Sequence, residues 1–247
     1  PYRMRAVSWS AATYRTSEPP QAVASSNTFF PDPVCGRTTD NRCMWQETLL
    51  ALGAIVVALA IRPWRAFVAG GPPWPAVVLC ALMPVLWCTD RLTHAPLLQP
   101  MSGACLLVLM TGWPLAVLAF VPIGVAAAVV GGLPWAEALH RAVWLGLVPA
   151  TFAMLLGAAV RRWLPRHLMV YILGRGFFVA VIALALAGWL GHAVDGAAPG
   201  LRSADVMIGR WLGAWGEAFI TGMLTAIFVV HRPQWLATYA DRLYLPR

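Results

Sequence analysis

Lysine is absent from this sequence of 247 residues; all 18 basic side chains are arginine. That absence removes two chemistries. A P-loop sets a lysine on the β- and γ-phosphates of a nucleotide, so the chain carries no ordinary ATPase motif. A retinal-type Schiff base needs a lysine amine, so a light-driven pump of that kind is excluded as well. Charge of either sign is scarce, at 11% of residues. A soluble domain of this length carries about 25% in order to cover its core with polar groups. Zinc-type cysteine spacing is also missing. Of the five cysteines, Cys80, Cys88 and Cys105 lie in apolar runs and behave as small hydrophobes. Cys35 and Cys43 would pair only in an oxidising compartment.

What the chain has in quantity is apolar surface. Hydrophobic residues make up 60% of it, and the mean hydropathy is +0.68. These values describe an integral membrane protein whose main partner is the lipid bilayer. The net charge of +8 reads as a topology signal and not as nucleic-acid affinity, because no basic run is interleaved with exposed aromatics.

Residues 1–43 differ from the remainder. They are rich in Ser, Thr, Pro and Arg, include "SEPPQ" and "FFPDPVCG", and show no helical apolar period or signal-peptide core. They are expected to form a poorly ordered extension, with Met44 of "MWQETLLALGAIVVALAI" resembling a natural start. Residues 44–236 then form the transmembrane domain and 237–247 a short cytoplasmic tail.

The expected fold class is all-α, a polytopic bundle with spans near 45–61, 74–89, 97–112, 114–131, 142–160, 168–190 and 207–230. "TGWP" (Thr111 to Pro114) divides 97–131; without that division six spans remain. With seven, one side collects Arg62, Arg65, Arg161, Arg162, Arg166, Arg232, Arg242 and Arg247, and the other Arg37, Arg42, Arg91, Arg141 and Arg202. The richer side is expected to be cytoplasmic, which puts the N-terminus outside and the C-terminus inside a bacterial cytoplasmic membrane. Trp45, Trp64, Trp74, Trp113, Trp135, Trp163, Trp211 and Trp235 fall near span ends, as an aromatic belt requires.

The residue that demands explanation is Glu217, in "GEAFITGMLTAIFVV" (216–230). A charge at the bilayer centre costs about 2.5–3.5 kcal/mol on insertion scales, so this carboxylate must face the bundle interior. Arg210, Gly213, Glu217, Thr221 and Thr225 recur at helical intervals and share one face. A structural clasp and a substrate or coupling site both satisfy that pattern. Arg175, in "YILGRGFF", is a second buried cation, expected to snorkel toward the inner interface. His94, His140 and His192 fall on the outer side, where with Asp90 they are weak candidates to capture a metal ion.

"GACLLVLMTGWPLAVLAF" (103–120) and "GEAFITGMLTAIFVVHRPQWLATYADRLYL" (216–245) resemble a bacterial family of energy-coupling-factor ABC transporter permeases. That family is similar to the membrane substrate-binding components of cobalt and nickel importers. The resemblance implies a bundle of about seven helices and a transition metal ion as cargo. It also implies separate ATPase and coupling subunits as partners, and no enzymatic activity in this chain. The importers open with Met-His and carry a later histidine, both of which bind the ion. Here Met44 precedes Trp45, and "LLQPMSGA" (97–104) has no histidine, so no metal ligand is carried over. An intramembrane enzyme and a non-transporting scaffold are the alternatives.

Overall fold

The computed structural model describes residues 40–62, 74–93, 100–165, 167–196 and 202–239. Among them every regular element is helical and none is a strand. In chain order these are α1 (Asp40–Ala60), α2 (Trp74–Trp87), α3 (Thr89–Thr93), α4 (Ala104–Thr111) and α5 (Trp113–Gly131). Then α6 (Trp135–Arg141) runs through a π-helical segment, Ala142–Leu147, into α7 (Val148–Trp163). A second π segment, Val170–Phe178, leads into α8 (Val179–Asp195), and α9 (Ser203–His231) is followed by a 3-10 turn, Pro233–Trp235.

Four helical stretches are long and apolar enough to cross a membrane: Trp113–Gly131, Trp135–Trp163, Val170–Asp195 and Ser203–His231. Two further apolar helices, Met44–Ala60 and Trp74–Trp87, are shorter. Of the expected span over 97–112, residues 97–99 lie outside the described residues, and the described part is helical across the eight residues Ala104–Thr111, α4. At 1.5 Å per residue that is about 12 Å, less than half a bilayer core.

Helix α4 is the centre of the bundle. Every residue from Ala104 to Met110 is buried, so it has no polar face to offer. Met83 and Trp87 of α2, Phe120 of α5 and Tyr171 pack in the same core. The outward faces are apolar too: Leu49, Val56, Phe219, Ile220 and Val230 are all exposed, the arrangement that lipid and not water accommodates.

The two ends of the bundle are tied differently. At one end Trp74 stacks edge-on against Trp235, which meets Phe228 the same way. At the other, α5 ends where it passes α2 at Gly131, and a Cβ there would lie 2.6 Å from Cys88 Sγ. The Cys88 thiol in turn donates to the Ala127 carbonyl at 3.4 Å. The missing side chain at Gly131 therefore admits Cys88, the residue after α2, against the end of α5. Gly131→Ala is expected to cost about 1–3 kcal/mol of stability through overpacking. Thermal unfolding in detergent measures it, and Cys88→Ala in the same chain should recover much of the loss.

Candidate functional site: a half-helix held by a carboxylate

The expected acid lies at the midpoint of α9, fourteen residues from each of Ser203 and His231. Glu217 is 6% exposed. Its carboxylate does not meet Arg210. Oε2 accepts from the backbone N–H of Ser102 at 2.7 Å, and Oε1 from that of Gly103 at 2.8 Å. These are the two residues that precede α4, so Glu217 fills the place of a capping side chain from a distant helix. A helix N-terminus presents unpaired N–H groups and a partial positive charge, and a carboxylate satisfies both.

The segment before α4 has non-helical backbone deep inside the protein, where each polar group needs a named partner. The Ser102 carbonyl accepts from Trp87 Nε1 at 2.9 Å. Its hydroxyl donates to the Leu145 carbonyl at 2.6 Å and accepts from the Ala104 N–H at 3.1 Å. Leu145 belongs to the π segment of Ala142–Leu147, whose i→i+5 pattern displaces carbonyls from ordinary helical pairing. Gly103 takes φ 70°, left-handed, and a Cβ there would sit 3.3 Å from the Met83 side chain. Only glycine fits both constraints.

The far end of α4 is tied to the segment that leaves α9. Ala237 N–H donates to the Met110 carbonyl at 3.1 Å, and Thr238 gives its N–H and its hydroxyl to the Leu109 carbonyl at 3.3 and 3.0 Å. The Thr238 hydroxyl also meets Tyr171 Oη at 2.9 Å. Arg175 belongs to this second node: its guanidinium lies 5.8 Å from the Tyr171 ring centroid, and Nη1 donates to the Thr238 carbonyl at 3.4 Å. The tail of α9 and its midpoint thus grip one half-helix at both ends.

The remaining expected site residues are dispersed. Thr221 and Thr225 are buried on the Glu217 face, but the Thr225 hydroxyl donates to the Thr221 carbonyl at 2.7 Å. Their face packs closely on the second π segment, where a Cβ at Gly176 would meet Thr225 at 3.1 Å. Arg210 donates from Nη1 to the Gly188 carbonyl, and its buried Nε has no partner among the described residues. It lines a cavity of about 70 Å³ together with Pro100, His140, Trp144, Gly191 and Asp195.

His140 is held between two carboxylates, with Nδ1 2.6 Å from Glu47 and Nε2 3.4 Å from Asp195. Trp144 Nε1 donates to the same Glu47 oxygen at 3.0 Å. Asp90 is committed elsewhere, in a bidentate pair with Arg141 at 2.8 Å on each arm. Arg141 also reaches Glu137 at 2.7 Å and donates to the Trp87 carbonyl, and Arg91 closes the cluster on Glu137 at 2.9 Å. His192 stands apart, its Nδ1 buried and without a partner among the described residues, and His94 lies outside the described residues. Among the described residues no three His, Cys, Asp or Glu converge as metal ligands.

Sequence reasoning found Glu217 and missed its partners. Ser102 and Gly103 sit in "MSGA", whose small polar composition signals a break, but nothing local connects it to a helix 114 positions later. Glu47 and Asp195 were invisible for the same reason. No protein-family model, curated protein or solved structure matches the chain.

The Asp90–Arg141 pair gives a prediction with a sign. Burial pushes the Asp90 carboxyl up, but the hydrogen bonds and charge of Arg141 outweigh it and hold the group below its ordinary value. A depressed folded pKa contributes stability that is complete above the unfolded value of about 4 and is lost as pH falls through the folded one. Arg141→Met leaves the Asp90 carboxylate with only the longer 3.8 Å contact to Arg91, while Glu137 keeps its Arg91 pair, and should cost about 3 kcal/mol at neutral pH. Melting curves from neutral to acid pH should show the difference between variant and wild type shrink once Asp90 takes up its proton.

Proposed function

We propose that this chain is the membrane-embedded substrate-binding and permease component of an energy-coupling-factor type ABC transporter. It lies in a bacterial cytoplasmic membrane with about seven passes, its N-terminus outside and its C-terminus in the cytoplasm. Separate ATPase and coupling subunits supply the energy. The cargo proposed, on the resemblance alone, is a transition metal ion such as cobalt or nickel.

One observation carries the proposal. The two stretches that resemble the permease family, 103–120 and 216–245, are the two that grip each other, through Glu217 on the Gly103 N–H and Thr238 on the Leu109 carbonyl. A short helix that starts inside the protein after non-helical backbone, as α4 does after residues 100–103, is the kind of device by which transporters build sites near the midplane. The cavity beside Pro100 continues that break toward Arg210 and Asp195. Both oxygens of Glu217 are taken by internal donors, and this favours one second reading, a non-transporting assembly protein in which the clasp only fixes the fold.

Two measurements separate these readings. Affinity purification of the tagged chain from its native membrane should bring down ATPase subunits in fixed ratio, and cells carrying it should accumulate radioactive nickel or cobalt. Glu217→Gln, which keeps the volume and one acceptor oxygen while removing the charge, should insert normally yet lose most uptake. Normal uptake in Glu217→Gln with disturbed assembly in Glu217→Leu would leave the scaffold reading in place.

A further inference from the structure

Glu217 is bonded in a way that depends on its charge. An ionised carboxylate accepts at both oxygens, and here each takes one N–H, from Ser102 and from Gly103. A protonated carboxyl keeps one good acceptor, while its hydroxyl oxygen becomes a donor that must itself find a partner. The charge-assisted bonds weaken by about half, and one backbone N–H loses its acceptor. No ion pair replaces the lost charge balance, because among the described residues Glu217 has no cation within salt-bridge distance, Arg210 being turned to Gly188.

Few other ionisable groups reach this site. From α4 the nearby ionisable group is the buried Cys105 thiol, two residues after Gly103. From α8 the ionisable members are His192 and Asp195, the latter engaged with His140 in the cavity that begins at Pro100, which Arg141 and Arg210 also line. From the second π segment Arg175 is held at Thr238, at the opposite end of α4. The remaining ties on residues 100–104 are neutral: Trp87 on the Ser102 carbonyl and the Ser102 hydroxyl on Leu145. The lower end of α4 is fastened by uncharged groups at Ala237 and Thr238. Among the described residues, the end at Ser102 and Gly103 is the one bonded directly to a carboxylate.

We propose that Glu217 is a protonation-controlled latch on the half-helix: ionised, it holds Ser102 and Gly103 against α9; neutral, it frees that end of the break toward the cavity at Pro100. The lower end of α4 stays anchored, so the motion is a local release of residues 100–104 and not an unfolding of the bundle. What the latch serves rests on the transport reading, where it would couple solute passage to a proton. The latch itself is tested without cargo or partner subunits, so its failure and the failure of that reading are distinguishable.

The test is amide hydrogen exchange of the full chain reconstituted in lipid, read as protection factors at Ser102 and Gly103 so that intrinsic pH dependence is removed. Wild-type protection should fall at least about tenfold between neutral and mildly acid pH, the loss of one charge-assisted bond. Glu217→Gln should show the low value at both. His140→Gln and Cys105→Ala should leave the wild-type fall intact. Protection that does not change with pH in the wild type would overturn the proposal, and so would its persistence in Glu217→Gln or its loss of pH dependence in His140→Gln. The wild-type series decides alone if the Gln variant does not fold.

Discussion

Two hydrogen bonds from consecutive backbone N–H groups to one carboxylate organise this bundle. Without Glu217, residues 102 and 103 would present unsatisfied donors in an environment without water, at a cost of about 1–3 kcal/mol each. Without those donors, Glu217 would be an unpaired charge at the middle of a 29-residue helix. Each defect is tolerable only because the other is there. The requirement extends outward to Trp87, to the Ser102 hydroxyl and to the Leu145 carbonyl that the π segment releases.

This dependence explains why α4 is short. A continuous helix through 97–112 would pair the Gly103 and Ser102 N–H groups internally and leave Glu217 with no acceptor role to fill. Shortening the helix creates donors, and Gly103 at positive φ directs them away from the helix axis. The lower end is then held by the returning tail, whose Ala237 and Thr238 occupy the Met110 and Leu109 carbonyls. The ionic cluster of Asp90, Arg91, Glu137 and Arg141 fastens α3 to α6 and meets the first grip through Trp87, whose carbonyl accepts from Arg141.

Composition and hydropathy revealed the membrane class, because those properties depend on the solvent and not on tertiary contacts. The positions of most helices were legible for the same reason: α5, α7, α8 and α9 lie on the expected apolar runs. The interior placement of Glu217 followed from the cost of exposing a carboxylate to lipid, and its burial agrees. Its partners did not follow. Periodicity on α9 pairs Glu217 with Arg210, but a helix face says nothing about which neighbour it meets. Backbone donors carry no side-chain signature, so "MSGA" gave no sign of chemistry. Arg175 was expected to snorkel, yet Tyr171 and Thr238 hold it in the protein. The weak metal candidates divided because Asp90 and His140 each had a counter-ion from a distant helix, Arg141 and Glu47.

The central claim is a distance, and solid-state NMR measures it directly. In the chain reconstituted in lipid, with Glu side-chain carboxyl carbons labelled ¹³C and Ser and Gly amides labelled ¹⁵N, Glu217 should show dipolar dephasing from both amides. Hydrogen bonds of this length place the carboxyl carbon within about 4 Å of each nitrogen. Substituting Glu217 by Gln should remove that signal from the Glu carboxyl spectrum. A Glu217 resonance with no dephasing from Ser102 or Gly103 at neutral pH would contradict the account.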